Sequence, residues 1–426
     1  MEKAIYDAYV QVLHEELVPA MGCTEPIAVA YAAALARKTL GLLPQRAEIQ
    51  VSANIIKNVK SVVVPHTGGL RGIAAAAVAG IIAGQADAEL EVLSAVTDEQ
   101  IAQMAPYLAA TPIEIAPSDN GFIFDIQIRV FAQGHSAFVQ FSGNHTNVTH
   151  IQKDSEILFH KDYTEGGQVQ KLDRSFMTVE GIVEFAHQVD IEDVRELLDR
   201  QIRCNTAIAE EGLRGNWGAN IGRVLMKSYG NTVQNRAKAM AAAGSDARMS
   251  GCELPVVINS GSGNQGLTAS LPVIVYAREL QVSPALLYRA LVVSNLITIH
   301  LKTGIGCLSA YCGATSAGCG AGAGIAYLYG GNASDIAHTV VNAVAINSGM
   351  ICDGAKASCA AKIASAVEAG LIGLQMQHHG TQFYGGDGIV VKGVENTIRN
   401  VGRLARLGMA ETDKEIIQIM IADTGC

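Results

Sequence analysis

The sequence predicts an α+β fold: a mainly α-helical domain formed by residues 1–45 plus 173–426, interrupted by a smaller inserted α+β domain, residues 46–172, built on a strand meander. Three observations lead there. Strand signals gather in one stretch, where GFIFDIQIRVFA (121–132) alternates apolar and polar residues and HSAFVQFSG and THIQKD follow around a Gly143-Asn144 turn. On both sides of that stretch apolar residues recur at helical spacing. Gly supplies 44 of 426 residues and hydrophobic residues 49%, against 17% charged, which excludes a disordered chain and suits closely approaching backbones with small side chains between them.

At the N-terminus Ala4, Ile5, Ala8, Tyr9, Val12, Leu13 and Leu17 repeat at i, i+4 and i+8, with Glu and Gln between them, as an amphipathic helix requires. GCTEP (22–26) precedes an Ala-rich helical run, 27–40, stopped by Gly41 and Pro44. Residues 48–64 are β-branched and partly alternating and read as strand; residues 70–84 read as a short helix. From about Thr178 the pattern is helical almost to the end, broken by Gly-rich turns at 260–266, 304–306, 318–324, 329–331 and 385–388. No fixed-period repeat or low-complexity linker interrupts it.

The net charge of −9 argues against a nucleic-acid or anionic-membrane surface. Mean hydropathy is positive (+0.23). The apolar windows 72–84 and 318–327 are nevertheless shorter than the ~20 residues of a spanning helix and are built of Ala and Gly. Glu2, Asp7, Glu15 and Glu16 do not fit a secretory signal. A cytoplasmic homo-oligomer with no membrane and no nucleic-acid partner is expected. Nine cysteines, an odd number with no CxxC pair, argue against a disulfide framework, a zinc ribbon and a contiguous ferredoxin run.

Three places carry candidate chemistry. Cys23 lies just ahead of a helix start at Pro26, where the macrodipole favours an anion and lowers a thiol pKa; an incidental small residue at a helix start is the plainer alternative. In NSGSGNQGLTASLPV (259–273), Ser260, Ser262, Asn264, Gln265 and Thr268 crowd three glycines ahead of an apolar run, as in a carboxylate or phosphate cradle. The stretch lacks the Lys of a P-loop, and a structural turn remains the alternative. Cys312, Cys352 and Cys359 could aim three sulfurs at one point, the set expected where one iron of a 4Fe–4S cluster is left open; the alternative is three thiols buried in an Ala-Gly core.

GCTEP (22–26), ANIIKNV (53–59), GSGNQG (261–266) and the set Cys312, Cys352-Asp353-Gly-Ala-Lys and Cys359, in that order over essentially the whole chain, resemble the L-cysteine desulfidase family, which is related to the iron–sulfur L-serine dehydratases (alpha chain). The resemblance implies an oxygen-sensitive lyase that breaks L-cysteine down to hydrogen sulfide, ammonia and pyruvate without pyridoxal phosphate. It implies Cys312, Cys352 and Cys359 as ligands of a 4Fe–4S cluster with one open iron, and Cys23 as the base. Residue type then suggests Ser260, Ser262 and Asn264 for the substrate carboxylate, Glu25 for its ammonium, and Asn54, Lys57 and Asn58 lining the site from the inserted domain. Cys204, Cys252, Cys307 and Cys319 read as packing. Cys426 reads as a frayed end, or as a tail thiol able to occupy the open iron. His66 sits where strand turns to helix and is a candidate to face the site; His378-His379 has no ligand partner at a telling spacing. Two alternatives remain: an L-serine dehydratase with the same cluster, and a non-catalytic cysteine or iron sensor, which would not need Cys23.

Overall fold

The computed structural model describes residues 1–164, 172–306 and 309–422, with the side chains of 421 and 422 left aside, so Cys307 and Cys426 lie outside the described residues. In chain order the first part comprises α1 (Lys3–Glu16), β1 (Pro19–Met21), α2 (Thr24–Leu40), β2 (Arg46–Val51), α3 (Ala53–Val59), α4 (Gly72–Ala83), α5 (Asp98–Ala110), β3 (Ile113–Pro117), β4 (Asp125–Ala132), β5 (His135–Ser142), β6 (Val148–Lys153) and β7 (Glu156–His160). The rest is helical except for β8 (Pro255–Val257). It runs α6 (Val179–Gln188), α7 (Glu192–Arg214), α8 (Ile221–Tyr229), α9 (Val233–Met249), α10 (Gly263–Glu279), α11 (Pro284–Ile305), α12 (Gly313–Leu328), α13 (Ala333–Asn347), α14 (Cys359–His378), α15 (Val394–Arg403) and α16 (Ala410–Ala422). The α+β class holds.

The six-stranded sheet has the order β3-β2-β4-β5-β6-β7, with β2 and β3 parallel and every other pair antiparallel. The expected meander is β4 to β7. The expected strand over 48–64 is corrected: it stops at Val51, and 53–59 forms the helix α3. Ser52 makes the corner, its hydroxyl donating to Ile123 O and its N–H to Asp125 O. Ile55 and Val59, four apart, then bury on one side, so packing overrides the β-branched local preference.

Two large apolar cores result. The first gathers Tyr9–Ala20 and residues from Met177 to Ile416; the second gathers residues from Ile27 to Phe141. Helix α2, which precedes the boundary expected at residue 45, packs on α4, β4 and β5 through an almost continuous Ala face and is part of the second core. Among the described residues two helices, α11 and α14, are long and apolar enough to cross a membrane by length and composition, unlike the windows singled out from sequence. Both are core helices, with 67% and 56% of their apolar stretch buried by protein.

Backbone contact between helices explains the glycine content. A Cβ on Gly318 of α12 would stand 2.2 Å from Ala366 O of α14, and one on Gly370 of α14 would stand 2.3 Å from Gly318 O. The two helices touch main chain to main chain, which only glycine allows. Each begins at a cysteine of interest: Cys312 is the N-cap of α12 and Cys359 the first residue of α14.

Candidate functional site

A cavity of about 620 Å³ lies where the two cores meet, and all but one of the site residues expected from sequence line it. Two short pairings assemble it. β1 pairs antiparallel with β8, which sets the start of α2 beside the start of α10. An isolated bridge between Tyr311 and Ile351, with Cys312 N–H donating to Met350 O (3.0 Å) and Cys352 N–H to Ala310 O (2.6 Å), sets Cys312 beside Cys352.

At that end of the cavity the Cys312 thiol hydrogen-bonds Cys352. The contact raises the Cys312 thiol well above its ordinary range, with burial adding to it. The same contact holds Cys352 below that range, helped against burial by the nearby charges of Lys57 and Lys302. Burial pushes Cys359 up, while its sulfur contacts Gly354 O at 3.7 Å. Gly354 is obligatory in the loop between them: its φ is +93°, and a Cβ would stand 2.3 Å from Lys57 O of α3. Burial would also raise the Asp353 carboxyl, but hydrogen bonds from Lys356 and Lys362, both at 2.5 Å, outweigh it and hold it low. Among the described residues no group of three His, Cys, Asp or Glu is arranged for a single metal ion. Three sulfur donors from three segments, with lysines around them, are the donor set that an iron–sulfur cluster takes.

Cys23 is the N-cap of α2 and is buried against Val62, Met249, Ala355 and Cys359. The lowered pKa expected from its helix-start position is corrected: burial pushes the thiol up to about 12, and the Arg248 guanidinium only partly counters it. Desolvation outweighs the helix dipole here because the side chain is 1% exposed. Its proton points to the Met249 sulfur at 3.8 Å.

Glu25, in the first turn of α2, accepts from Thr24 Oγ1 (3.1 Å) and Asn58 Nδ2 (3.4 Å) and has no cationic partner among the described residues. Lys57 also lines the cavity but is tied to Asp413 of α16 at 2.5 Å. Asn54 is the exception. It does not line the cavity, and its buried Oδ1 has no hydrogen-bond partner. On the other wall Ser260 (φ +51°) and Gly261 (φ +77°) form a tight turn closed by reciprocal Asn259–Ser262 backbone bonds at 3.1 Å, which delivers Ser262 as N-cap of α10. The single Thr24 hydroxyl proton is shared between Glu25 and Gly261 O (3.0 Å), which joins this turn to the start of α2.

Sequence reasoning missed Arg248. Its side chain is 3% exposed and lines the cavity; Nη1 donates to Asn264 Oδ1 (3.2 Å), and Nε is buried without a partner. No carboxylate pairs with it among the described residues. The available signal was an Arg near the end of the Ala-Gly run of α9, where a charge is costly to bury without a task. His145, on the β5–β6 loop, also reaches the cavity and stands near Gly261. Gln265, noted only as part of the loop, places a buried unpartnered Oε1 there. His66 instead pairs with Glu253 at 3.2 Å and does not line the cavity. Cys319 is buried in α12 and Cys252 in the first core.

Residues 87–418 match a family model described as the serine dehydratase alpha chain. A UPF0597 protein of Desulfitobacterium hafniense is 61% identical over 98% of this chain and 97% of its own length. UPF0597 proteins of Lachnoclostridium phytofermentans and Treponema denticola are 50% and 44% identical, each over at least 98% of this chain and 100% of their own. By that match, which takes in strands β3 to β7 and the three-cysteine segment, the chain belongs to the serine dehydratase alpha chain family.

Proposed function

We propose that this protein is an iron–sulfur-dependent lyase that breaks L-cysteine down to hydrogen sulfide, ammonia and pyruvate by α-proton abstraction and β-elimination. The observation that carries the reading is one cavity with three thiols at one end, a buried thiol in contact with one of them, and an unpaired guanidinium and carboxylate on its walls. A 4Fe–4S cluster held by Cys312, Cys352 and Cys359 would, when bound, supply a Lewis-acidic iron with an open position for the substrate's sulfur. The chain's own groups do the rest. Arg248 and the Asn264 amide receive the α-carboxylate, and Glu25 receives the ammonium. Cys23 takes the Cα proton. Because burial holds it as a neutral thiol, it must first lose its own proton, and Arg248 is the cation that eases this loss. Loss of sulfide leaves aminoacrylate, which tautomerises and hydrolyses in water to pyruvate and ammonia. Under this reading the protein is a cytoplasmic, oxygen-sensitive homo-oligomer.

The family description favours a second reading, L-serine as substrate with hydroxide leaving. The sulfur-rich surroundings of Cys23, with Met249 and Cys359 beside it, favour L-cysteine. The deciding experiment is anaerobic reconstitution of the cluster, addition of either amino acid, and simultaneous assay of sulfide and pyruvate. Equal sulfide and pyruvate from L-cysteine supports the desulfidase; pyruvate from L-serine alone moves the assignment to a dehydratase. A loaded cluster with no turnover of either sinks both and leaves the sensor.

Arg248→Leu is expected to raise KM for the amino acid by about 10- to 100-fold, the worth of hydrogen bonds to a charged group, with the cluster still bound. An unchanged KM would remove Arg248 from the carboxylate site.

A further inference from the structure

Behind the Ser260 turn runs a chain of carboxamides, Gln201 of α7, Asn295 of α11 and Asn259, all fully buried. Its polarity is fixed at one end by a group that can only accept. Asn295 Nδ2 donates to Leu291 O (2.9 Å), so the other face of that amide must be its oxygen. Asn295 Nδ2 also donates to Gln201 Oε1 (2.8 Å), and Asn295 Oδ1 accepts from Gln201 Nε2 (3.0 Å) and Asn259 Nδ2 (3.0 Å). All four hydrogen-bonding positions of Asn295 are used. Asn259 must therefore turn its NH₂ inward and its Oδ1 toward Ser260, whose hydroxyl donates to it at 2.9 Å. Turning the Asn259 amide over would set its oxygen against both Asn295 O and Asn295 Oδ1, three acceptors together.

The consequence reverses the role suggested for Ser260 by residue type. With its proton committed inward, its oxygen offers the cavity lone pairs only. A carboxylate there would face an acceptor; an ammonium would be welcomed. Glu25, an acceptor on the wall formed by the start of α2, follows Thr24, whose hydroxyl bond to Gly261 O joins that wall to the Ser260 turn. We infer that Ser260 and Glu25 together receive the substrate's ammonium group, and that Gln201, Asn295 and Asn259 are positioning residues that set the direction of the Ser260 hydroxyl. This rests on the proposed amino-acid reading of the cavity.

The test compares two molecules that differ in the group at issue: L-cysteine as substrate, and 3-mercaptopropionate, which keeps the thiol and carboxylate but lacks the amine, as competitive inhibitor. Ser260→Gly is the variant of choice because glycine accepts φ +51° without strain. In the full-length, cluster-loaded protein it should raise KM for L-cysteine by about 10- to 100-fold while Ki for 3-mercaptopropionate stays within about twofold. Asn295→Leu should reproduce that selective loss where it folds, and Ser260→Gly decides the matter where it does not. Parallel weakening of both molecules would make Ser260 a carboxylate donor and overturn the assignment, as would no change in either. Wild-type protein that neither turns over L-cysteine nor binds 3-mercaptopropionate would instead overturn the amino-acid reading beneath it.

Discussion

Replacing Cys352 by alanine is expected to abolish turnover and to remove the visible absorption of the reconstituted cluster, while far-UV circular dichroism stays that of the parent. The backbone pairing that builds this corner, Cys352 N–H to Ala310 O and Cys312 N–H to Met350 O, uses no side chain and survives the change. What is lost is the thiol most stabilised as an anion, through the Cys312 hydrogen bond and the Lys57 and Lys302 charges. Several kcal/mol of Lewis-acid stabilisation corresponds to a fall of about a thousandfold or more. A Cys352→Ala protein that keeps both its iron and its rate would end the three-cysteine reading.

Gly370→Leu is the second large effect. The new side chain would start 2.3 Å from Gly318 O, a main-chain atom that cannot rotate away, so α12 and α14 must separate. Overpacking of a tight core costs about 1–3 kcal/mol, and more is expected where backbone blocks the way. Because Cys312 caps α12 and Cys359 begins α14, separation also spreads two of the three thiols. The variant should melt several degrees below the parent, and whatever folds should incorporate less iron per chain. A protein that loses stability but loads a full cluster would show that the helix contact and the thiol spacing are independent.

Much of this was legible in the chain because it rests on local pattern. The alternation over 121–132 and the helical spacing in α1 are properties of a few neighbouring residues. The N-terminal position of GSGNQG on α10, and the gathering of Cys312, Cys352 and Cys359 at one cavity, also follow the sequence reading. What failed depended on distant partners. ANIIKNV carries strand-like residues, yet folds as α3 because Ile55 and Val59 meet the second core. The direction of the Cys23 shift was misjudged because the helix start is visible in sequence and the burial against Met249 and Cys359 is not. Arg248 stayed hidden because what marks it is a buried guanidinium with no carboxylate paired to it among the described residues, a fact about the folded chain.

The placement of α2 sets a tolerance on the chemistry. Its start presents Cys23 and Glu25 to the cavity, but its length is anchored in the sheet, whereas Cys312 and Cys359 stand at the starts of α12 and α14, helices of the first core. Under the proposed function, proton acceptor and metal site are thus carried on separate supports, and their alignment depends on the seam between them. Hydrogen bonds and ion pairs across that seam, Thr24 to Gly261 and Lys57 to Asp413 among them, act as its fasteners. Warming or mutation that slackens the seam would misalign the two parts while each core is still intact, so inactivation would precede melting.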